Sequence, residues 1–204
     1  MPTQVICLPS SGARAYLLRG ESSSVLVDTG TEKLGEHTLA ACHHMAVRLI
    51  LLTHGHFDHC QNAAYFAQEL HCPVAISRED AELLSGVQRP VRGEGFRDEA
   101  FAWLSNRSIR KQALPQVEPS VFLEDGMSLA PYGIQGKVVA LPGHTAGSVG
   151  VFLDSRDLLV GDAMFCLPGL GPAWCYEDKA QMEKSLEKVK ALRPRQIYAG
   201  HTLR

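Results

Sequence analysis

No stretch of this 204-residue chain approaches the roughly 18 consecutive apolar residues that cross a bilayer. Its opening residues, Met1 to Leu8, hold neither a basic segment nor a cleavable apolar core, so no secretory leader is expected. Runs of one charge are missing too. Twenty Lys and Arg stand against 22 Asp and Glu, and a net charge of −2 gives no footprint for a nucleic-acid backbone or an anionic membrane. The six cysteines contain no C-x-x-C pair and no zinc-finger spacing, so free thiols are expected. Low-complexity and Gly-repeat segments are absent, and 45% apolar with 21% charged residues is ordinary globular composition. The reading is a soluble, cytoplasmic protein, monomer or homodimer, able to bury a core without disulfides and partnered by a small molecule.

Hydrophobic periodicity supplies the elements. Short β-type runs at Gln4–Leu8, Arg14–Leu18 and Ser24–Val27 suggest an antiparallel meander. A helix over Lys33–His43 and the apolar strand Val47–Leu52 follow. Asn62–Leu70 reads as a helix with Ala64, Phe66 and Leu70 on one face, Pro73–Ile76 as a strand and Arg78–Leu84 as a short helix. Beyond residue 112, β runs lie at Ser120–Leu123, Lys137–Leu141, Ser148–Leu153 and Asp157–Val160. Asp178–Leu192 is an amphipathic helix with Met182, Leu186 and Val189 inward, and Gln196–Tyr198 is a closing strand. This order predicts layered α/β or α+β packing, with two β-rich halves flanking an insertion at 88–112.

The chemistry concentrates in Thr53-His54-Gly55-His56-Phe57-Asp58-His59. Four metal-ligand side chains within six residues suit zinc, iron or manganese, because imidazole and carboxylate donate to all three. The motif follows an apolar strand, and a loop at a strand's C-terminal end is where α/β folds place ligands. Asp28, His144, Asp162 and His201 each follow a β run as well. Five strand ends thus carry a carboxylate or an imidazole, which predicts one convergent site.

In this order, and over nearly the whole chain, the Asp28 strand end, His54–His59, Pro142-Gly-His144, Gly161-Asp162 and Gly200-His201 resemble the metallo-β-lactamase superfamily. The resemblance implies an α/β (α+β) fold, a four-layer αββα sandwich forming one domain over 1–204, with a dinuclear site along one edge. It implies that His54, His56 and His144 hold a first metal, and that Asp58, His59 and His201 hold a second. Asp162 would bridge the two and Asp28 would orient a ligand from behind. Thr145 and Ser148 resemble the family's G-H-T-x-G-S turn, which holds the metal loop in place. The implied cofactors are two divalent metal ions, zinc first, with iron and manganese acceptable to the same donors.

Within the superfamily, the H-x-H-x-D-H pattern with Asp162 and His201 resembles the glyoxalase II-like thioesterases and lactonases. The expected activity is therefore hydrolysis of a thioester by a metal-held hydroxide, with Asp58 or Asp162 taking up the proton. A lactonase, a mono-iron persulfide dioxygenase-like enzyme and a catalytically silent metal-binding module are the alternatives. Only three residues follow His201, so glutathione recognition by a C-terminal helical domain is not expected.

The remaining assignments are local. His37, His43, His44 and His71 match no ligand motif, and Cys60 and Cys166 read as packing residues. Phe57, Trp174 and Tyr176 are expected to shape the substrate pocket. The 88–112 insertion carries Arg89, Arg92, Arg97, Arg107, Arg110 and Lys111 against three acidic residues, and a helix at Asp98–Asn106. It is expected to act as a lid, with Arg89 and Arg92 meeting an anionic substrate group.

Overall fold

The computed structural model describes residues 2–109, 116–167 and 169–202. Two sheets form from the two halves of the chain. The first runs β1 (Gln4–Cys7), β2 (Tyr16–Arg19), β3 (Ser24–Val27), β4 (Val47–Leu51), β5 (Val74–Ser77), β6 (Val121–Leu123), each bonded to the next. β1, β2 and β3 pair antiparallel, and β3 to β6 pair parallel. The second sheet has the order β12 (Gln196–Ala199), β9 (Asp157–Gly161), β8 (Val149–Leu153), β7 (Gly136–Ala140), with β12 and β9 parallel and the others antiparallel.

Period-two alternation sorts these strands into layers. Leu18, Val25, Val27, Leu49 and Leu51 face Val138, Val151, Leu153 and Leu159 of the second sheet, making the central core. The alternate residues Leu17, Leu26, Ile50 and Ile76 point the other way, onto Leu39 of α1 (Gly35–Cys42) and Phe66 of α3 (Ala63–Leu70). On the far side, Val139, Leu158 and Val160 meet Val189 of α5 (Lys179–Leu192). Helices, sheet, sheet and helix form four layers, the expected αββα sandwich. Among the described residues no helix is long and apolar enough to cross a membrane.

Several local expectations shift. Ala63 replaces Ala64 on the buried face of α3, because the helix starts after Asn62, whose side-chain amide donates to Thr29, Gly30 and Thr31 carbonyls. The Arg78–Ser85 segment is a 3-10 helix. In α5, Ser185 lies deeper than Leu186, since its hydroxyl donates to the Pro142 carbonyl at 2.7 Å. A one-turn helix, α2 (Phe57–Cys60), and a hairpin of β10 (Met164–Cys166) and β11 (Leu170–Pro172) were not expected. The helix in the insertion, α4, runs over Gly95–Ile109, longer than the predicted Asp98–Asn106, and residues 110–112 of the insertion lie outside the described residues.

Candidate metal centre

The carboxyl ends of β3, β4, β7, β9 and β12 converge on one edge of the sandwich, each followed by a chemistry-bearing residue. Asp28 leaves β3 with a left-handed backbone (φ 59°), which aims its carboxylate back under the β4 loop. There it accepts from the Thr53 amide and hydroxyl, both at 2.8 Å, and contacts His59 Nδ1 at 2.8 Å. α2 starts directly after His56, so its single turn carries Asp58 and His59 toward the edge. Gly200 precedes His201 because nothing larger fits. A Cβ there would sit 2.3 Å from Asp162 Oδ1 and 2.7 Å from His59 Cε1.

The side chains meet closely. His56 Nδ1 lies 3.1 Å from His54 Nε2 and 3.0 Å from His144 Nε2. His201 Nε2 lies 3.2 Å from both Asp58 Oδ2 and Asp162 Oδ2, and His59 Nε2 lies 3.3 Å from Asp162 Oδ1. Three overlapping groups emerge, His54/His56/His144, His54/His59/Asp162 and Asp58/His59/His201, each with donor atoms within 4.8 Å of one another. All seven expected ligand residues are in this cluster.

The donor chemistry fits divalent cations. His144 Nδ1 faces the Cys175 carbonyl at 2.9 Å, and a carbonyl only accepts, so Nδ1 carries a proton and Nε2 is the atom turned into the cluster. Asp28 fixes His59 in the same sense, leaving Nε2 inward. Electrostatics divide the cluster into two halves. Burial, then the neighbouring imidazoles, pushes His54 well below the ordinary histidine range, and burial with His144 beside it pushes His56 down to about 3. Both stay neutral, with lone pairs ready to donate. Burial opposes charge on His201 too, but Asp162 and Asp58 outweigh it and hold His201 up at about 10. Burial would raise Asp58, yet the His201 hydrogen bond and the His59 and His201 charges hold it down to about 2. Asp162 is held low by the same two histidines against its own burial. The carboxylate half therefore demands positive charge, which a divalent cation meets.

Sequence reasoning missed the residue that ties the loops together. Asp80 is fully buried. One oxygen accepts from the Gly55 amide (3.2 Å) and the Thr145 hydroxyl (2.6 Å), and the other accepts from the Gly147 amide (2.9 Å) and pairs with Arg89. It bridges the His54–His59 loop and the His144 loop. The available signal was a lone aspartate sharing the buried face of its helical turn with Leu83 and Leu84. Thr145 also receives support from Ser148, whose Oγ accepts from the Thr145 amide at 3.0 Å.

A cavity of about 280 Å³ opens beside the cluster, walled by His56, Phe57, Asp58, His144, Asp162 and His201 on one side and by α4 on the other. Of the residues expected to touch substrate, Phe57 lines it. Arg89 is committed elsewhere: besides Asp80 it contacts Glu177 at 2.8 Å and Glu82 at 3.2 Å. Arg92 is exposed, its backbone bridging to Tyr176. Trp174 stands behind the wall, 5.3 Å from Phe101 and 6.0 Å from Phe165, with the Arg97 guanidinium 4.5 Å from its ring. Among the described residues no lysine or arginine lines the cavity.

Known proteins share this architecture. The chain is 28% identical over 196 residues to a beta-lactamase-like protein 2 homolog of Caenorhabditis elegans, covering 93% of this chain and 56% of that one. It is 30% identical over 180 residues to acyl-coenzyme A thioesterase MBLAC2 of Bos taurus, covering 76% of this chain and 60% of that one. It thus spans little more than half of each curated relative. Among solved structures, TTHA1623 in a di-iron-bound form superposes with a TM-score of 0.69 at 27% identity, over 98% of this chain and 92% of that one. The family model for the metallo-beta-lactamase superfamily matches residues 11–201, a span that starts before Asp28 and closes on His201 itself, so the chain belongs to that superfamily.

Proposed function

We propose that this protein is a hydrolase of acyl thioesters that holds two divalent metal ions, zinc in the first instance. The observation that carries the reading is the split cluster, an imidazole trio abutting a carboxylate-rich half, with an apolar-walled cavity against both. His54, His56 and His144 would hold one ion and Asp58, His59 and His201 the other, with Asp162 between them. When bound, such ions supply Lewis-acid polarisation of a carbonyl and water acidified to neutral pH. Asp58 and Asp162, both beside His201 at the carboxylate-rich half, would take up the proton given up by an attacking water. Asp28 keeps His59 oriented, and the Cys175 carbonyl does the same for His144. Phe57 and Phe165 exclude bulk water from the reacting carbonyl.

No side-chain nucleophile is required. Cys175, a thiol in the cavity lining, is pushed up by burial and by the Asp162 charge, so it stays protonated. The thioesterase relative at 30% identity supports a thioester as the scissile bond. The di-iron form of TTHA1623 supports iron as a metal for such donors, and the second reading is the mono-iron persulfide dioxygenase-like enzyme. Parallel assays separate the readings. Zinc-loaded protein should release free thiol from an acyl thioester without oxygen uptake, faster than it opens a lactone of matched size. Oxygen uptake by iron-loaded protein on a persulfide, with no thiol release from any thioester, would overturn the proposal.

A further inference from the structure

The thioesterase reading leaves the acyl group unspecified, and the wall that α4 presents to the cluster bears on it. Phe101, Leu104, Ser105 and Ser108 line the cavity, and their spacing of i, i+3, i+4 and i+7 puts them on one helical face. Ile109 extends that face, while Val91 and Phe165 close the cavity from the sides. Among the described residues, the charged groups in the lining belong to the metal cluster alone. A charged group pressed against this wall would lose hydration and find no counter-ion among them, which is costly. An aliphatic group would bury surface against the wall, where Ser105 and Ser108 supply the hydroxyls.

The cavity measures about 280 Å³, and Leu104 and Ser108 of its α4 wall are partly open to solvent. We infer that this cavity is the acyl subsite and that α4 gauges the acyl chain, so that the enzyme prefers thioesters of uncharged aliphatic acyl groups up to an optimum length, with Ser105 at a position that reads the chain. The inference rests on the thioesterase reading but can fail separately from it. Ser105 is half-buried on a helix and small, so a larger side chain there fills the cavity without displacing the core.

The experiment measures kcat/KM for acetyl, butyryl, octanoyl, dodecanoyl and palmitoyl thioesters of one thiol, together with calorimetric binding of 1-octanol to chelator-treated protein. Burying each added methylene should raise kcat/KM about fourfold until the chain outgrows the α4 wall, and longer chains should fall. Ser105→Phe should move the optimum to shorter chains and cut octanol affinity at least about tenfold, while Phe101→Ala should move it to longer ones. If thioesters are cleaved with no length dependence, or with palmitoyl preferred by parent and variants alike, the inference is overturned and the thioesterase reading stands. If no thioester is cleaved but octanol binds the parent and not Ser105→Phe, the apolar subsite stands and the thioesterase reading falls. Absence of both cleavage and octanol binding overturns the two together.

Discussion

His201 shows how far single residues depend on their partners. Its folded pKa of about 10 lies above the ordinary 6.5, so its contribution to stability in metal-free protein is full below 6.5 and is lost as pH rises toward 10. Asp58, held at about 2 from 3.8, contributes above 3.8 and loses that contribution as pH falls through 2. In chelator-treated protein, the stability gap between parent and His201→Ala should be widest between about pH 4 and 6.5 and should shrink by pH 9.5. Urea midpoints across that range check it, and a gap that widens with pH would mean His201 does not share a proton with these carboxylates. The convergence of the seven His and Asp residues was legible because each is a ligand-type side chain placed just after an apolar β run. Arg89 was not legible in the same way. A basic residue in a basic insertion suggests an anionic ligand, whereas its partners are Asp80 and Glu82 of the preceding helical turn and the distant Glu177.

At the scale of elements, the Asp80–Arg89–Glu177 group joins five segments. Arg89 enters the insertion that carries α4, Asp80 reaches both histidine loops, and Glu177 accepts from the Ala146 amide at 3.0 Å just before α5. Asp80→Ala should destabilise the fold by about 3 kcal/mol or more, because it leaves two backbone amides, a hydroxyl and a guanidinium without their shared acceptor. Denaturant titration should show a lower midpoint at unchanged slope. A loss under about 0.5 kcal/mol would mean that water replaces the carboxylate. α4 was only partly legible since it is apolar on both sides. Phe96 and Trp103 face solvent while Phe101 and Ile109 face the cavity, so no single stripe marks its length. α2 escaped notice because four residues are too few to show a helical period.

For the whole molecule, alternation along the strands made the layered class readable, because each strand buries one face on its partner sheet and the other on helices. What alternation does not carry is pairing between distant segments. The antiparallel start β1-β2-β3 was legible as a meander, whereas the parallel pairs β3-β4, β4-β5, β5-β6 and β12-β9 join segments far apart in sequence. The two sheets meet at the edge where β3, β4, β7, β9 and β12 end, which gives two half-sites, one richer in imidazole and one in carboxylate. On the proposed reading, each half-site holds one ion and hydrolysis needs both. The most direct test is a zinc titration of chelator-treated protein, following thiol release from an octanoyl thioester at each addition. Activity should be absent without metal and should rise to its maximum at two zinc ions per chain. Full activity without metal, or a maximum reached at one ion with none gained from the second, would contradict the account.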